Sequence, residues 1–289
     1  MKRFRKYLPY ILLITFIIIL AGIFYTIYSK GNQSKLLKVA FLDVGQGDAI
    51  YIEAPNGKQM LVDGGPDDSV LAELAQVMPF GDQSIDLVLA THTDADHIGG
   101  LSSVIEQYDV SHIIENGSSS STRVFQNLEN TIEKNNLERV IARRGTRIIL
   151  DKEFNIYFDI LFPDRDVSNF TESNDGSIVG KLVYGQESFL LTGDATKYTE
   201  NLIMRNETPD TLHSQVLKLG HHGSHTSSTQ LFLEKVNPEI AIISAGKNNR
   251  YGHPHKDVLN VLERLGIPYF ATYQEGTIIF KTDGVKLFQ

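Results

Sequence analysis

The 289-residue chain contains no cysteine. Disulfide scaffolds, thiolate zinc sites, cysteine nucleophiles and lipid-modified N-terminal cysteines are thereby excluded. It also lacks a surplus of positive charge: 27 Lys and Arg stand against 35 Asp and Glu, a formal net charge of -8. A general electrostatic grip on nucleic acid needs a basic face, so any polyanion must be held locally. Low-complexity blocks and internal repeats are missing too, which rules out a repeat architecture. What is present, 42% hydrophobic and 21% charged residues, is the composition of a globular protein with a real core.

One long apolar run stands out. Leu8 to Tyr28 is 21 residues without a charge, and at about 1.5 Å per residue such a helix crosses the roughly 30 Å hydrocarbon core of a membrane. Lys2, Arg3, Arg5 and Lys6 precede it, and a short basic leader prefers the cytoplasm, which places the rest of the chain outside. Lys30, Lys35 and Lys38 oppose that asymmetry. Ile19 to Tyr28 offers no good small-x-small cleavage site, so an uncleaved anchor is favoured over a secreted protein released by signal cleavage. The organisation expected is a leader, anchor and linker over residues 1–35 and one α/β domain over residues 36–289.

Beyond the linker, Lys38–Asp43, Ala49–Glu53 and Gln59–Asp63 read as strands joined by Gly-rich turns, followed by a helix at Ser69–Val77 and a strand at Ile85–Ala90. The pattern predicts helices at Ile98–Gln107 and Thr122–Asn135 and a strand at Val110–Ile114. A second run of strands follows between Arg147 and Thr192. The last third alternates strand and helix, with strands at Gln215–Leu219 and Ile240–Ser244, helices at Thr229–Val236 and Lys256–Leu265, and a terminal pair at Thr277–Phe280 and Val285–Phe288. Two β-rich stretches with helices after each suggest two sheets packed face to face, helices outside.

The chemistry concentrates after the apolar strand Leu87-Val88-Leu89-Ala90. It runs into Thr91-His92-Thr93-Asp94-Ala95-Asp96-His97 and then Gly99-Gly100, four potential metal ligands within six residues. A tight loop leaving a rigid strand end can aim His92, Asp94, Asp96 and His97 at one point. A solvated loop with helix-capping aspartates is the bland alternative, and ligand density argues against it. Three later clusters repeat the grammar: Leu190-Leu191-Thr192-Gly193-Asp194, Leu219-Gly220-His221-His222-Gly223-Ser224, and Ile243-Ser244 leading to Asn249, Tyr251 and His253. Each alone is equally a cap or a turn. Together they set the histidines and acids at strand ends, where open sheets gather ligands.

These segments, with Phe41-Leu42-Asp43-Val44-Gly45-Gln46-Gly47-Asp48 and Leu61-Val62-Asp63-Gly64-Gly65 before them, occur in this order in the metallo-β-lactamase superfamily. They most closely resemble its branch typified by the hydrolase domain of the competence protein ComEC. The resemblance spans Lys38 to Gln289 and implies an αββα sandwich with two divalent metal ions, zinc or manganese, at one edge. It makes Asp96 and His97 ligands of one metal, His92 and Asp94 candidates for the other, and Asp194 the bridge. His222 resembles the late histidine ligand, with His221 as fallback, and Asp63 would orient the metal loop. The superfamily's commoner loop has His where Asp94 stands, and an oxygen ligand makes that site harder, favouring manganese as a rival to zinc. A further superfamily histidine is missing before Asp194, where Asn174, Asp175 and Ser177 are the available stand-ins.

Two metals suit in-line attack on a phosphodiester, with Asp96 at the reacting centre. Ser224 and His221 would offer donors to the substrate, His253 would assist the leaving oxygen, and Asn249 and Tyr251 would position it. A structural turn accounts for those last three residues almost as well. The expected activity is a phosphodiesterase or nuclease acting on DNA outside the membrane. Alternatives are an esterase for a cell-envelope phosphodiester, such as teichoic acid or phosphorylcholine, and a non-catalytic protein associated with DNA uptake. Arg139, Arg143, Arg144, Arg147 and the turn Lys247 to Arg250 are the locally basic places.

Overall fold

A computed structural model describes residues 10, 12–20 and 35–289. The chain divides into two units, Met1–Lys35 and Leu36–Gln289. In the first, residues 12–20 are helical, with the large side chains of Leu12, Leu13, Phe16 and Ile17 exposed. The predicted span Leu8–Tyr28 lies in large part outside the described residues, and among the described residues no helix is long and apolar enough to cross a membrane.

The second unit is a two-sheet sandwich. The first sheet takes β1 (Leu37–Phe41), β2 (Ile50–Glu53), β3 (Gln59–Val62), β4 (Ser84–Ala90), β5 (Asp109–Glu115) and β6 (Glu138–Ile141). The second takes β7 (Arg147–Asp151), β8 (Ile156–Phe162), β9 (Val179–Tyr184), β10 (Glu187–Leu191), β11 (Val216–Lys218), β12 (Ile240–Ile243) and β13 (Tyr269–Ala271). The chain then returns to the first sheet with β14 (Ile278–Thr282) and β15 (Leu287–Phe288). The orders are β15-β14-β1-β2-β3-β4-β5-β6 and β13-β12-β11-β10-β9-β8-β7.

Alternation along each strand divides the apolar side chains between two faces. Val39, Phe41, Ile52, Phe158, Phe189 and Phe280 face inward to the layer between the sheets. Ala40, Tyr51, Leu61 and Val88 turn outward, against Leu74, Leu101 and Leu128 of the helices covering the first sheet. Leu190, Leu217 and Ile243 do the same against Ile203, Leu233 and Leu262 on the second. This is the mixed α/β sandwich that the residue pattern and the resemblance both implied.

Three differences from the sequence reading have physical causes. The helix expected at Ile98–Gln107 is broken into Ala95–Ile98 and Leu101–Gln107, because Gly99 and Gly100 press on backbone: a Cβ at Gly100 would lie 2.2 Å from the Gly64 carbonyl oxygen. The unexpected helix Lys197–Asn206 starts at Thr196, whose hydroxyl accepts the Tyr198 N–H. The short strands β6 and β13 were hidden by weak alternation; β6 keeps only Val140 partly buried.

Candidate metal centre

Parallel pairing of β3 with β4, of β10 with β11 and of β11 with β12 sends their carboxyl ends to one edge of the sandwich. From there the loop after β4 carries His92, Asp94, Asp96 and His97. The turn after β10 carries Asp194, and the one after β11 carries His221 and His222. Both histidines are left-handed, at φ 50° and 56°, a conformation that costs energy in a non-glycine residue and collects at working sites.

Three imidazoles are anchored through one ring nitrogen and bare at the other. Nδ1 of His97 donates to Asp63 Oδ2 at 2.7 Å, and Nδ1 of His222 donates to the Ser244 carbonyl at 2.8 Å. The Thr91 hydroxyl donates to Asp63 at 2.7 Å, so its oxygen is left to accept from His92 Nδ1 at 3.0 Å. With Nδ1 so engaged, Nε2 of His92, His97 and His222 is the ring atom left for a metal, all three buried and without a hydrogen-bond partner. Two of them flank Asp194: His97 Nε2 lies 3.1 Å from Asp194 Oδ1, and His222 Nε2 lies 3.5 Å from Oδ2 and 3.3 Å from Asp96 Oδ2. Asp194 Oδ1 is also buried and without a hydrogen-bond partner.

Buried ring nitrogens without partners beside buried carboxylates are what a divalent cation satisfies once it displaces their protons. Ligand atoms of Asp48, His97, Asp194 and His222 fall within 4.8 Å of one another. Asp48 differs from the other three in its orientation. Its oxygens face the anchored side of the rings, 3.4 Å from His222 Nδ1, and meet the buried ammonium of Lys218. We therefore read Asp48 as the partner of Lys218 behind the centre, and Asp96, His97, Asp194 and His222 as the donors facing it. Sequence reasoning gave neither Asp48 nor Lys218 a role. The one local signal is the Gly-rich turn before Asp48, where a Cβ on Gly47 would lie 2.1 Å from the Asp96 carbonyl oxygen.

Electrostatics express the same demand for positive charge. Burial opposes ionisation of Asp194, but His222 and His97 outweigh it and hold the carboxyl well below its usual range. Burial would likewise deprotonate His97 and His222, yet Asp194 with Asp63 raises the first, and Asp194, Asp48 and Asp96 raise the second to about 9. With no cation bound, His97 and His222 thus favour the protonated form, and cation binding must displace the proton from Nε2.

The Asp94 side is more open. Asp94 Oδ2 lies 3.6 Å from His92 Nε2, and its Oδ1 accepts the Ser173 hydroxyl at 2.6 Å. The stand-ins for the missing histidine go elsewhere. Asp175 accepts from the Thr196 hydroxyl, Asn174 meets the His221 ring at 3.4 Å, and Ser177 accepts the Asp194 N–H at 2.9 Å.

Around the centre, His221 Nε2 sits 3.7 Å from Asp194 Oδ2. Ser224 is buried, its oxygen accepting from the Thr226 hydroxyl at 3.0 Å, which braces the histidine turn. Asn249 spends its amide on the turn, accepting from Tyr251 N and His253 N and donating to Gly246 O and His253 O. The turn thereby sets the His253 ring 5.2 Å from His221 and 6.1 Å from His222. Its Nδ1 is buried without a partner, and burial, then His221 and His222, push its pKa down to about 4. Tyr251 is half exposed and stacks on His253 at 5.6 Å.

Family comparison agrees with this geometry. The metallo-beta-lactamase superfamily pattern matches residues 42–247, and the chain belongs to that superfamily. Its curated relatives include ComE operon protein 3 of Bacillus subtilis, 33% identical over 84% of this chain and 33% of that protein. Competence protein ComA of Neisseria gonorrhoeae is 30% identical over 84% of this chain and 32% of the relative. The chain thus spans about a third of the length of these relatives. Among solved structures, the metallo hydrolase Igni18 of Ignicoccus hospitalis shares the fold, with a TM-score of 0.55 and 14% identity over 85% of this chain and 98% of that one. The chain is thus a metallo-β-lactamase-fold hydrolase homologous to competence proteins.

Proposed function

We propose that the protein is a metal-dependent phosphodiesterase acting on DNA, held outside a membrane by the apolar segment Leu8–Tyr28. The observation that carries the chemistry is the pair of buried Nε2 atoms of His97 and His222 against Asp194, with His92 Nε2 beside Asp94. Asp96, His97, Asp194 and His222 would hold one cation, and His92 with Asp94 would be the donors available to a second. When bound, divalent cations supply Lewis acidity toward a phosphoryl oxygen and acidify water. The chain's own contribution is orientation: Asp63 fixes His97, Ser244 fixes His222, and the Asn249 turn holds His253 beside His221 and His222, where its neutral imidazole N–H would hydrogen-bond a leaving oxygen. DNA is supported by the competence relatives.

A second reading, an esterase for a cell-envelope phosphodiester, is favoured by the surface charge. Arg139 is taken up by Glu115 and Glu129, Arg144 by Glu207 and Arg147 by Asp159, so these arginines form no free basic track for a long polyanion.

The deciding experiment sets single-stranded DNA, a teichoic-acid-type polymer, a chromogenic phosphodiester and a chromogenic lactam side by side with added manganese or zinc. DNA cleavage with close to two metal equivalents, reduced by Asp194→Asn, is expected. Lactam turnover without phosphodiester cleavage refutes the proposal, and cleavage of the envelope polymer alone selects the esterase. Protease added to intact cells should digest the domain; protection until lysis would reverse the topology.

A further inference from the structure

Next to the metal centre lies a cavity of about 400 Å³, lined by Gln46, Pro66, Ala95, Asp96, Asn249, Arg250 and Tyr251. Its volume is in the range of small-ligand sites, about 300–1,000 Å³. Asp96 belongs to both places, since its carboxylate also lies 3.3 Å from His222 Nε2. A group bound in the cavity is therefore a neighbour of whatever reacts at the centre.

Two features of the wall are unused by the chemistry above. Tyr251 is 47% exposed although its ring stacks on His253 and the Arg250 guanidinium, itself exposed and able to swing aside, lies 4.9 Å from the ring centre while donating to its hydroxyl at 2.7 Å. An aromatic ring fixed in orientation and left open to a cavity is a platform for a second planar group. Gln46 presents a buried amide nitrogen without a partner. Its orientation is set by the Gly246 N–H, which donates to Gln46 Oε1 at 3.2 Å; a flipped amide would set donor against donor. Gly246 is held close, since a Cβ there would lie 2.9 Å from the Gln46 backbone nitrogen. A fixed, buried, unsatisfied donor in a cavity wall costs free energy until an acceptor arrives.

We propose that this cavity is a subsite for one nucleobase of the substrate, with Tyr251 as its stacking platform and Gln46 Nε2 donating to an acceptor on the nucleotide. The inference rests on the phosphodiesterase reading and narrows its substrate class to nucleotidyl phosphodiesters. A polyol phosphate has no planar ring to stack and would leave the Tyr251 platform idle. Arg250 adds a cation at the rim that a phosphate can reach, since its side chain is exposed.

The test is calorimetric binding to the full chain loaded with manganese. Thymidine 5′- and 3′-monophosphates are compared with 2-deoxyribose 5-phosphate, which keeps sugar and phosphate but has no base. At least one nucleotide should bind about tenfold tighter than the sugar phosphate, as one stacked base allows. Tyr251→Ala should erase that preference and Tyr251→Phe keep it, while Gln46→Leu should weaken the nucleotide and leave the sugar phosphate unchanged. Equal or undetectable binding of all three ligands by the unsubstituted chain overturns the subsite, as does a preference that survives Tyr251→Ala. Base preference without phosphodiester cleavage would keep the subsite and remove the hydrolase, whereas cleavage without base preference would do the reverse.

Discussion

Lys218 and Asp48 form an ion pair that solvent does not reach, the ammonium of one against the carboxylate of the other, with side chains 0% and 1% exposed. Lys218 also donates to the Gly193 carbonyl at 3.1 Å and lies 3.9 Å from Asp194 Oδ1. The Lys218 side chain thus ties the Gly-rich loop after β1 to the turn that carries Asp194. Together with the expected metals, it balances the acids that gather at this edge.

Lys218→Met should therefore be costly, because it leaves Asp48 buried without its partner. A loss of about 3–5 kcal/mol is expected from urea unfolding. The double variant Asp48→Asn/Lys218→Met should regain part of it, since the uncompensated charge is gone. An additive double variant would show that the two residues do not act as a pair.

Asp63 accepts three donors at once: the Thr91 N–H at 2.8 Å, the Thr91 hydroxyl and His97 Nδ1. Asp63→Asn suits the left-handed backbone there, φ 60°, but loses the charge and one acceptor oxygen. Metal affinity should fall by about 10- to 100-fold in a chelator competition. Unchanged affinity would mean that His97 is oriented without Asp63.

Replacing His253 by Ala should lower turnover of an alkyl phosphodiester by on the order of 100-fold with metal content intact, if this ring assists the leaving oxygen. A nitrophenyl diester, whose leaving group needs no proton, should suffer much less. Equal losses on both substrates would assign His253 to packing of the turn.

Glu200 is buried and accepts from the Thr229 hydroxyl and the Ser228 and Thr229 amides, yet burial pushes its pKa up to about 7. The folded state holds this proton more tightly than the unfolded one. Its contribution is complete below the ordinary value of 4.5 and is lost as pH rises through about 7. Glu200→Gln should flatten that part of the stability profile, by on the order of 3 kcal/mol between pH 4 and 8. A parallel shift of the two profiles would show that Glu200 does not titrate in this range.

The metal loop was legible because its information is local: an apolar strand, four donors and two glycines in one stretch. The sandwich was legible from runs of alternating residues. The pair of Lys218 and Asp48 was not, since 170 residues separate them and neither neighbourhood announces a partner. Nor does periodicity say which strands meet, so the return of β14 and β15 to the first sheet came only with the structure. The roles of Asn249 and Ser224 in building turns depend on hydrogen bonds to backbone groups, which residue type alone does not assign.

Between β2 and β14 lies β1, whose register runs from Leu37 against Thr282 to Phe41 against Ile278. Phe280 from β14 also stacks edge-on with both Phe41 and Phe189, at 6.2 and 6.1 Å, and Thr277 receives the Asp43 N–H. A chain emerging from the ribosome, or threading across a membrane, must therefore keep β1 open along one side until nearly 240 further residues have followed. Such distant pairing makes folding slow and exposes an unsatisfied strand edge meanwhile. Synthesis and maturation of the protein are thus separated in time: the donors of the metal centre have all been made well before the sheet beneath them can close.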